Sequence, residues 1–535
     1  MAGKPKGWDA IVIGSGIGGL TAAVLLARLY GKRVLVLERH YRAGGFTHVF
    51  SRRGGYRWDV GVHYVGEVCQ PGLSRDVLEA VTGGEVRWQK MPEGYDRLIF
   101  PDFEFTVRAG RERFKSDLKA VFPREAGVID CYFRDVRLAA SYIGVVGMRG
   151  TAPETVRRLV ETLKGRARRL ALSTTGSWLD RHVSDERLKA VLGARWGDYG
   201  LPPSESAFLA HAVITQHYFE GGYYPVGSAS ALAEAAQRQL EAMGGELRVR
   251  AEAARILLDP SGRARGVRLA TGEEIVAPVV ISDAGARNTF LRLLPDDVSL
   301  PFREELRQTP AGMAHLSLYL GLSQSPETLG IRGENLWIHD SFDQDGIWSR
   351  RNEILDGKVS QLYVSFPSLK DPAAKHHTAE VVTAVEGAAF TRWEGTRWMK
   401  RGPEYEALKE KMKAAILAEV EQHVPGLSSL VAWSELSTPL STEHFTAHPQ
   451  GEIYGIPATP KRFTRSYLQV KTPVPGLYLT GADALILGVM GAARAGLLCA
   501  AAVAGPLTFW KTAAAARRLR SAKGSTAAAT SLSTA

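Results

Sequence analysis

Residues 8–40 read WDAIVIGSGIGGLTAAVLLARLYGKRVLVLERH, and this stretch decides the fold. Residues 9–13 form a short apolar run typical of a buried parallel strand, and residues 33–38 predict a second strand. Between the two strands lies a G-x-G-x-x-G turn followed by a helical stretch; its glycines are Gly14, Gly16 and Gly19. The order strand, turn, helix, strand predicts an α/β fold that begins with a Rossmann-like unit.

The glycine turn has the chemistry of a phosphate-binding site. The first glycine permits the tight turn, the second lets the backbone approach a pyrophosphate, and the third lets the helix lie close to the strand. Ser15 and Gly18 belong to the same turn. Glu38 lies nineteen residues after Gly19, where a carboxylate accepts hydrogen bonds from a ribose diol and repels a 2′-phosphate. A turn without a ligand is the alternative, but the strand, the helix and the acid at this spacing favour a dinucleotide site.

The residues after Glu38 distinguish between dinucleotides. A paired glycine lets the chain pass close to the rest of an extended cofactor, which favours FAD over NAD. The residues expected to bind there are Arg39, Arg42, Gly44 and Gly45. With the apolar spacing of the first helix and second strand, this pattern resembles the two-dinucleotide-binding-domain flavoproteins. The resemblance implies FAD as the cofactor.

Length and composition limit the possibilities further. A chain of 535 residues is too long for one compact core, so two domains are expected. The widely spaced Cys69, Cys131 and Cys499 form neither a disulfide framework nor a metal-ligand pattern, so we expect no metal and a reducing, cytoplasmic location. No run of about 20 apolar residues predicts a transmembrane helix. The sequence has no zinc pattern and no nucleic-acid-binding motif, so nucleic acid is not an expected partner.

The formal net charge of +11 is concentrated in two segments. Residues 151–172 place apolar side chains at helical spacing with arginines between them, which predicts a basic amphipathic helix. Such a helix either contacts an anionic membrane surface or is a solvated surface helix. Residues 506–535 are basic and rich in alanine and serine, and we expect this tail to be disordered.

Four later stretches resemble one family, in the same order along the chain. They are YRWDVGVHYVGE (56–67), YYPVG (223–227), STPLSTEHFTAHPQGEIYG (437–455) and PGLYLTGADALILGVMGAARAGLLCAAAVAG (475–505). The resemblance covers most of residues 8–505. It is to the group of phytoene desaturases, carotenoid isomerases and retinol saturases, with retinol saturase-like members the most similar.

This resemblance implies a discontinuous domain organisation. A Rossmann-like FAD-binding domain is expected from residues 1–75, 220–290 and 466–505. An α+β substrate domain is expected from residues 76–219 and 291–465, so the two domains interleave along the chain.

The resemblance also implies an activity. The family acts on carbon–carbon double bonds of a long isoprenoid or polyene lipid by exchanging hydride at flavin N5, and saturation, desaturation and cis–trans isomerisation all stay open. The sequence has no second G-x-G-x-x-G unit, so NAD(P)H, a quinone or a partner reductase stays open as the electron donor or acceptor. Because such a lipid must be collected from a bilayer, we expect peripheral attachment to an anionic membrane surface.

By resemblance, the cofactor-binding residues extend into the later stretches. Ala253 corresponds to the residue that faces the adenine, although relatives carry valine there. The residues expected beside the flavin are Gly481, Asp483, Val489 and Met490.

The segment after the cofactor-binding turn holds the candidate catalytic residues. His63 and Tyr64 follow the paired glycine closely enough to face the flavin, where either donates a proton or binds a substrate hydroxyl. The alternative is that His63 holds the loop or the cofactor without touching the substrate. Weaker candidates of the same kind are His211, His217 and Tyr218, whereas Tyr223 and Tyr224 are expected to line a wall.

Two other functions are compatible with the opening motif. A flavin amine oxidase shares the fold, and some such proteins carry a flavin-linked cysteine, but Cys499 lies well inside the predicted closing helix. The other is an FAD-stabilised protein that binds a lipid without chemistry.

Overall fold

The computed structural model describes residues 7–505 and 508–519. Its strands are β1 (Ala10–Ile13), β2 (Val34–Leu37), β3 (Val49–Ser51), β4 (Arg57–Asp59), β5 (Trp88–Lys90), β6 (Gly94–Phe100), β7 (Phe103–Arg108), β8 (Tyr223–Pro225), β9 (Glu246–Arg248), β10 (Ala253–Leu258), β11 (Ala264–Leu269), β12 (Glu274–Val276), β13 (Val280–Ser282), β14 (Ala314–Leu322), β15 (Asn335–His339), β16 (Gln361–Ser365), β17 (His377–Val385), β18 (Val431–Ser437) and β19 (Leu477–Leu479).

The α-helices are α1 (Ile17–Tyr30), α2 (Leu73–Thr82), α3 (Arg111–Val121), α4 (Ala126–Ala140), α5 (Ile143–Gly147), α6 (Glu154–Leu163), α7 (Gly165–Ala171), α8 (Thr175–His182), α9 (Glu186–Gly193), α10 (Phe208–His217), α11 (Ser230–Ala242), α12 (Gly285–Arg287), α13 (Arg303–Gln308), α14 (Gln344–Ser349), α15 (Pro367–Lys370), α16 (Pro403–His423), α17 (Leu427–Leu430), α18 (Pro439–Thr446) and α19 (Val489–Ala504). A π-helical turn, Asn288–Leu293, follows α12. Short 3₁₀ segments are Gly45–Thr47, Pro123–Glu125, Ala194–Asp198, Pro326–Leu329, Arg351–Asp356, Gly387–Trp393, Pro449–Gly451, Arg462–Thr464 and Ala482–Ala484.

A five-stranded parallel sheet forms the dinucleotide-binding half of the molecule. Its strand order is β19-β13-β1-β2-β9, and every neighbouring pair is parallel. The strands β1 and β2 are buried along their whole length, which explains why both read as continuous apolar runs. The predicted α/β class with a Rossmann-like unit is therefore confirmed. Its five strands come from the three sequence ranges expected to form this domain.

A seven-stranded sheet forms the second half, in the order β18-β14-β17-β16-β15-β6-β7. Its pairs are antiparallel except for β15 with β6, which run parallel. The strands β14 and β17 carry one apolar core with the long helix α16 packed on it. All seven strands lie in the ranges expected for the substrate domain.

The hairpin β3–β4 joins the two halves. The Trp58 indole N–H donates to the Leu320 carbonyl on β14 at 3.0 Å, and the Arg52 guanidinium forms a bidentate ion pair with Glu435 on β18. The Asp59 backbone N–H donates to the carboxylate of Glu380 on β17. The hairpin therefore anchors the following segment, residues 60–67, between the two sheets.

The expectation of a disordered tail does not hold for residues 509–519, which are helical. The Tyr30 hydroxyl lies 2.6 Å from the Thr512 hydroxyl, and Thr512 and Ala516 are buried. An alanine-rich segment forms a helix readily, and here it has a folded surface to pack on. Residues 506–507 and 520–535 of the expected tail lie outside the described residues.

The predicted basic amphipathic segment forms two helices, α6 and α7, which Lys164 separates. Among the residues that the structure describes, no helix is both long enough and apolar enough to cross a bilayer.

Replacing Trp58 tests how the hairpin is anchored. Trp58→Ala removes a fully buried indole and its hydrogen bond to β14, so we expect a loss of about 3–5 kcal/mol of unfolding free energy. Thermal and urea unfolding measure this loss. The matched control is Trp510→Ala, since the Trp510 side chain is 78% exposed and its removal should cost less than about 0.5 kcal/mol. Equal losses in the two variants would contradict the anchoring role.

Candidate active site

A cavity of about 670 Å³ extends between the two sheets. One end is lined by the glycine turn after β1, the loop after β2, and the start of α19. The other end is lined by side chains from β14 to β17 of the large sheet, including Trp337, Gln361 and Tyr363. A volume of this size is typical of sites that hold a cofactor or a drug-sized ligand.

The glycine turn at the first end has room only for backbone. A Cβ at Gly18 would lie 2.6 Å from the Gly481 Cα, and one at Gly16 would overlap the Asp283 carboxylate. Gly16 precedes α1 and offers the helix no side-chain cap, and the Asp283 carboxylate accepts hydrogen bonds from the backbone N–H groups of Gly16 and Gly19. A helix N-terminus with bare backbone is a ready site for a phosphate group.

Glu38 fixes the geometry around this turn. Its Oε2 accepts hydrogen bonds from the Ser15 backbone N–H at 3.0 Å and from the Ser15 hydroxyl at 2.6 Å. Its Oε1 accepts from the His40 backbone N–H, and the Ser15 hydroxyl accepts from the Gly44 N–H at 3.0 Å. The carboxylate therefore connects the phosphate turn to the paired-glycine loop while lining the cavity, as a ribose-binding acid would.

The predicted cofactor-binding residues divide into two groups. Those that line the cavity are Gly14, Ser15, Gly16, Gly18, Glu38, Arg39, Arg42, Gly44, Gly45, Ala253, Gly481 and Val489. Within the described chain, Gly19, Asp483 and Met490 are not part of the cavity wall. Gly19 lies behind the turn, where a Cβ would come 2.5 Å from the Gly14 carbonyl.

Asp483 has a different set of contacts from the one its motif predicts. Its carboxylate accepts hydrogen bonds from the backbone N–H groups of Ala286 at 2.8 Å and Ile456 at 2.9 Å. The buried Arg462 guanidinium lies 3.5 Å from the same carboxylate. Asp483 thus connects three chain segments behind the cavity, and binding of a ribityl hydroxyl by this residue stays a prediction.

Asp283 is a cavity residue that sequence reasoning did not identify. It follows β13 and lies against the glycines of the phosphate turn and Gly481. Burial raises the pKa of Asp283 to about 7, and the negative charges of Glu38 and Asp483 add to this effect. The stretch VVISDAG (279–285) predicts a strand followed by a glycine turn, but nothing local marks its acid as part of the site.

His63 faces the cavity from the segment after β4. Its side chain is 19% exposed, and its ring packs edge-on against Tyr363 with centroids 5.0 Å apart. The ring Nδ1 lies 2.9 Å from Glu380 Oε2. Burial lowers the pKa of His63 to about 3, and the positive charge of Lys370 lowers it as well.

Tyr64 follows the cavity-lining run of residues 60–63 and does not itself line the cavity. Its hydroxyl donates to Asp96 at 3.2 Å and Asp198 at 3.3 Å, and its ring stacks on Tyr218. Burial raises the pKa of the Tyr64 hydroxyl well above its ordinary value, and the charges of Asp198 and Asp96 raise it too. Of the two candidate catalytic residues, the structure brings only His63 to the cavity.

Asp198 was missed by the sequence analysis, although it lines the cavity. It ends the 3₁₀ segment Ala194–Asp198, and burial raises its pKa to about 7 while the nearby Arg195 opposes that rise. No motif surrounds Asp198, so only the folded arrangement reveals it.

The weaker candidates have internal partners. The His211 ring nitrogens meet the hydroxyls of Tyr132 and Tyr199, and His217 Nε2 accepts from the Gly66 backbone N–H at 2.8 Å. Within the described residues, the weaker candidates His211, His217 and Tyr218 do not line the cavity. Tyr223 and Tyr224, which were expected to line its wall, do not line it either.

Comparison with known proteins agrees with this arrangement. Residues 12–77 match the family model of the NAD(P)-binding Rossmann-like domain. A solved structure of cyclohexylamine oxidase from Brevibacterium oxydans aligns with a TM-score of 0.59, covering 93% of this chain and 99% of that one. At 18% identity, that likeness shows the fold alone.

Two curated relatives match nearly the whole chain. The chloroplastic prolycopene isomerase of Arabidopsis thaliana is 27% identical over 94% of this chain and 84% of its own length. The all-trans-retinol 13,14-reductase of Danio rerio is 34% identical over 93% of this chain and 86% of its own length. The resemblance noted in the sequence is therefore confirmed, and the chain belongs to the family of the all-trans-retinol 13,14-reductases.

Proposed function

We propose that this protein is an FAD-dependent oxidoreductase that acts on carbon–carbon double bonds of a long isoprenoid or polyene lipid. One observation carries the proposal: a single cavity connects the dinucleotide-binding glycine turn to a chamber walled by Trp337, Tyr363 and Val382. The aromatic and aliphatic part of this wall suits an extended apolar substrate, and Ser317, Gln361 and Thr383 place polar groups beside it. The names of the two curated relatives, a retinol reductase and a prolycopene isomerase, support the same substrate class.

The cavity residues fit FAD along its length. Glu38 would hold the ribose of the adenosine, with Ala253 beside the adenine, and Ser15 and Gly16 would contact the pyrophosphate. Gly481 and the uncapped N-terminus of α19 would lie beside the flavin, where free amides favour developing negative charge. When bound, the flavin would supply hydride exchange with a substrate carbon at N5.

The chain's own residues would supply the surroundings of this reaction. Trp337 and Tyr363 line the far end of the cavity, and His63 is a group there that can exchange a proton. In the described residues only one G-x-G-x-x-G turn follows a strand and opens a helix, so we infer that electrons come from or go to an external partner. NAD(P)H, a quinone and a partner reductase are the candidates.

Turnover in a polyene-producing host tests the proposal. Lipids extracted from cells that express the protein should show one product class by mass spectrometry: two hydrogens gained, two lost, or a new isomer. The purified protein should be yellow and release FAD on denaturation. Peroxide release from amines without any polyene change would favour an amine oxidase, and bound FAD with no turnover of either kind would favour a lipid-binding protein.

A glycine pair supplies the matched control for that experiment. Gly16→Val would overlap the Asp283 carboxylate and fill the space at the pyrophosphate turn, so this variant should bind no FAD and form no product. Gly127→Val lies on the exposed surface of α4, where a Cβ meets nothing within 4 Å, and it should behave as wild type.

The position of Asp283 predicts a pH dependence of cofactor binding. A protonated Asp283 tolerates a neighbouring pyrophosphate, whereas an ionised one repels it, and its pKa in the protein is about 7. Binding therefore takes up a proton above that pH, and the Kd for FAD should rise by up to about tenfold per pH unit. Flavin fluorescence titrations from pH 6 to pH 9 measure this. Asp283→Asn should bind FAD with a nearly constant Kd; a parallel slope in the variant would contradict the role of Asp283.

We also propose that the exposed apolar edge of α6 docks on an anionic membrane surface. Val156, Leu159 and Leu163 are 45%, 61% and 78% exposed. Glu154 and Glu161 form ion pairs with neighbouring arginines, which reduces the charge available to a lipid headgroup. The apolar edge, rather than charge alone, is therefore expected to supply much of the attachment.

Liposome sedimentation tests this docking. Wild type should sediment with anionic vesicles at low salt and much less with neutral ones, because each basic side chain near an anionic surface contributes about 1 kcal/mol. The double variant Leu159→Ser with Leu163→Ser should lower the membrane partition coefficient by at least about 100-fold, since two buried leucines at about 1.5–3 kcal/mol each contribute about 3–6 kcal/mol together. Met399→Ser, at another exposed apolar residue, is the control and should bind as wild type. Equal sedimentation of all three proteins would exclude α6 as the docking edge.

A further inference from the structure

The inner edge of the His63 ring meets a fully buried carboxyl group. Glu380, on β17, has no exposed side-chain surface, and its Oε1 accepts from the Asp59 backbone N–H at 2.9 Å. Its Oε2 lies 2.9 Å from His63 Nδ1. Among the described residues, neither of these two atoms has an aligned hydrogen-bond partner. The two atoms are within hydrogen-bonding distance but out of line, so a proton shared between them would satisfy both once the His63 ring turns into line, because one would donate it and the other would accept it.

The charged and titratable groups around His63 come from several elements. Glu380 lies on β17, Asp59 on β4, Lys370 on α15, and the neutral His315 and Tyr363 on β14 and β16. Lys370 is 2% exposed, and its Nζ donates hydrogen bonds to three uncharged oxygen atoms. These are the His63 carbonyl at 3.1 Å, the Ser365 hydroxyl at 2.8 Å and the Asn335 side-chain carbonyl at 2.5 Å.

Counting charges shows that this cluster holds an extra proton. Ionised Asp59 and Glu380 against one Lys370 leave a net charge of −1 when His63 is neutral. An uncompensated charge in a buried site is costly, so the cluster binds a proton instead. Burial raises the pKa of Glu380 to about 8, whereas burial lowers that of His63 to about 3. Burial also raises the pKa of Asp59, to about 7, and the Glu380 carboxylate adds to that rise, so Glu380 is the group of the cluster that takes up the extra proton first.

We propose that Glu380 positions His63 and keeps it supplied with a proton, so that the pair acts as one proton-transfer unit at the substrate end of the cavity. The Glu380 O–H donates to Nδ1, which leaves Nε2–H on the ring edge that faces the cavity. Glu380 does not touch the substrate and acts only through His63. This inference rests on the proposed function for its substrate, but the position of the proton can be measured without any turnover.

The transfer balances in both directions. In saturation, Nε2–H gives its proton to the substrate carbon, Nδ1 takes the proton of Glu380, and Glu380 is left as a carboxylate. When bound, reduced flavin would supply the hydride that completes the reduction. His63 is neutral before and after, which removes the need to create a buried imidazolium. Desaturation runs the same proton transfers backwards.

The experiment uses ¹⁵N-histidine-labelled, FAD-loaded protein, with His63→Gln to assign the signal. At pH 7 the His63 spectrum should show a protonated Nε2 and an Nδ1 that accepts a hydrogen bond. Between about pH 6 and pH 10 these shifts should follow one titration with a midpoint near 8, as the pair loses its proton. Glu380→Gln, which donates to Nδ1 but holds no titrating proton, should keep the tautomer and abolish the titration.

Two further variants keep the result interpretable. Glu380→Asp should retain a titration at a shifted midpoint, and Glu104→Gln, an exposed carboxylate at the edge of the same sheet, should match wild type. If polyene turnover is established, Glu380→Gln should lower kcat by about 10²-fold with little change in KM. If His63 titrates in the same way in wild type and in Glu380→Gln, the proposal is wrong, even if turnover is never observed. Loss of turnover alone would bear only on the proposed function.

Discussion

The close approach of α1 and α19 is the constraint on which the rest of the structure depends. Small residues make it possible: a Cβ on Gly496 would lie 2.5 Å from the Gly18 carbonyl, and Gly18 itself lies against Gly481. With larger side chains, the last helix would be held away from the phosphate turn. Because the helices touch, the start of α19 and the glycine turn line one cavity.

The second half of the molecule depends on how the first half is anchored to it. The hairpin β3–β4 lays its tryptophan on the large sheet, and the following segment, with His63 and Tyr64, then passes between the sheets. The histidine therefore lines the cavity, and the tyrosine lies among buried carboxyl groups. One segment thereby connects the cavity to the polar interior of the half that contains the large sheet.

Local motifs made the cofactor end of the site predictable. The glycine turn, Glu38 and the paired glycine act through backbone geometry over a few residues, so their spacing alone carries the information. Glu380, Asp283 and Asp198 were not predictable, because each matters only after strands far apart in sequence come together. Asp59 and Glu380 are 321 residues apart, and nothing in the stretch HTAEVV marks its glutamate as different from any other strand residue. The helix at residues 509–519 was missed for a related reason, since composition does not reveal that a surface exists for it to pack on.

The parallel sheet of the dinucleotide half also has a consequence for how the chain acquires its shape during synthesis. The strand β1 lies in the middle of that sheet, but its neighbour β13 begins at Val280 and the edge strand β19 only at Leu477. Pairings between such distant segments form slowly, and a growing chain folds its earlier regions first. The strand β1 must therefore wait, with one edge unpaired, until β13 has been made about 270 residues later, and the sheet is complete only when β19 joins β13.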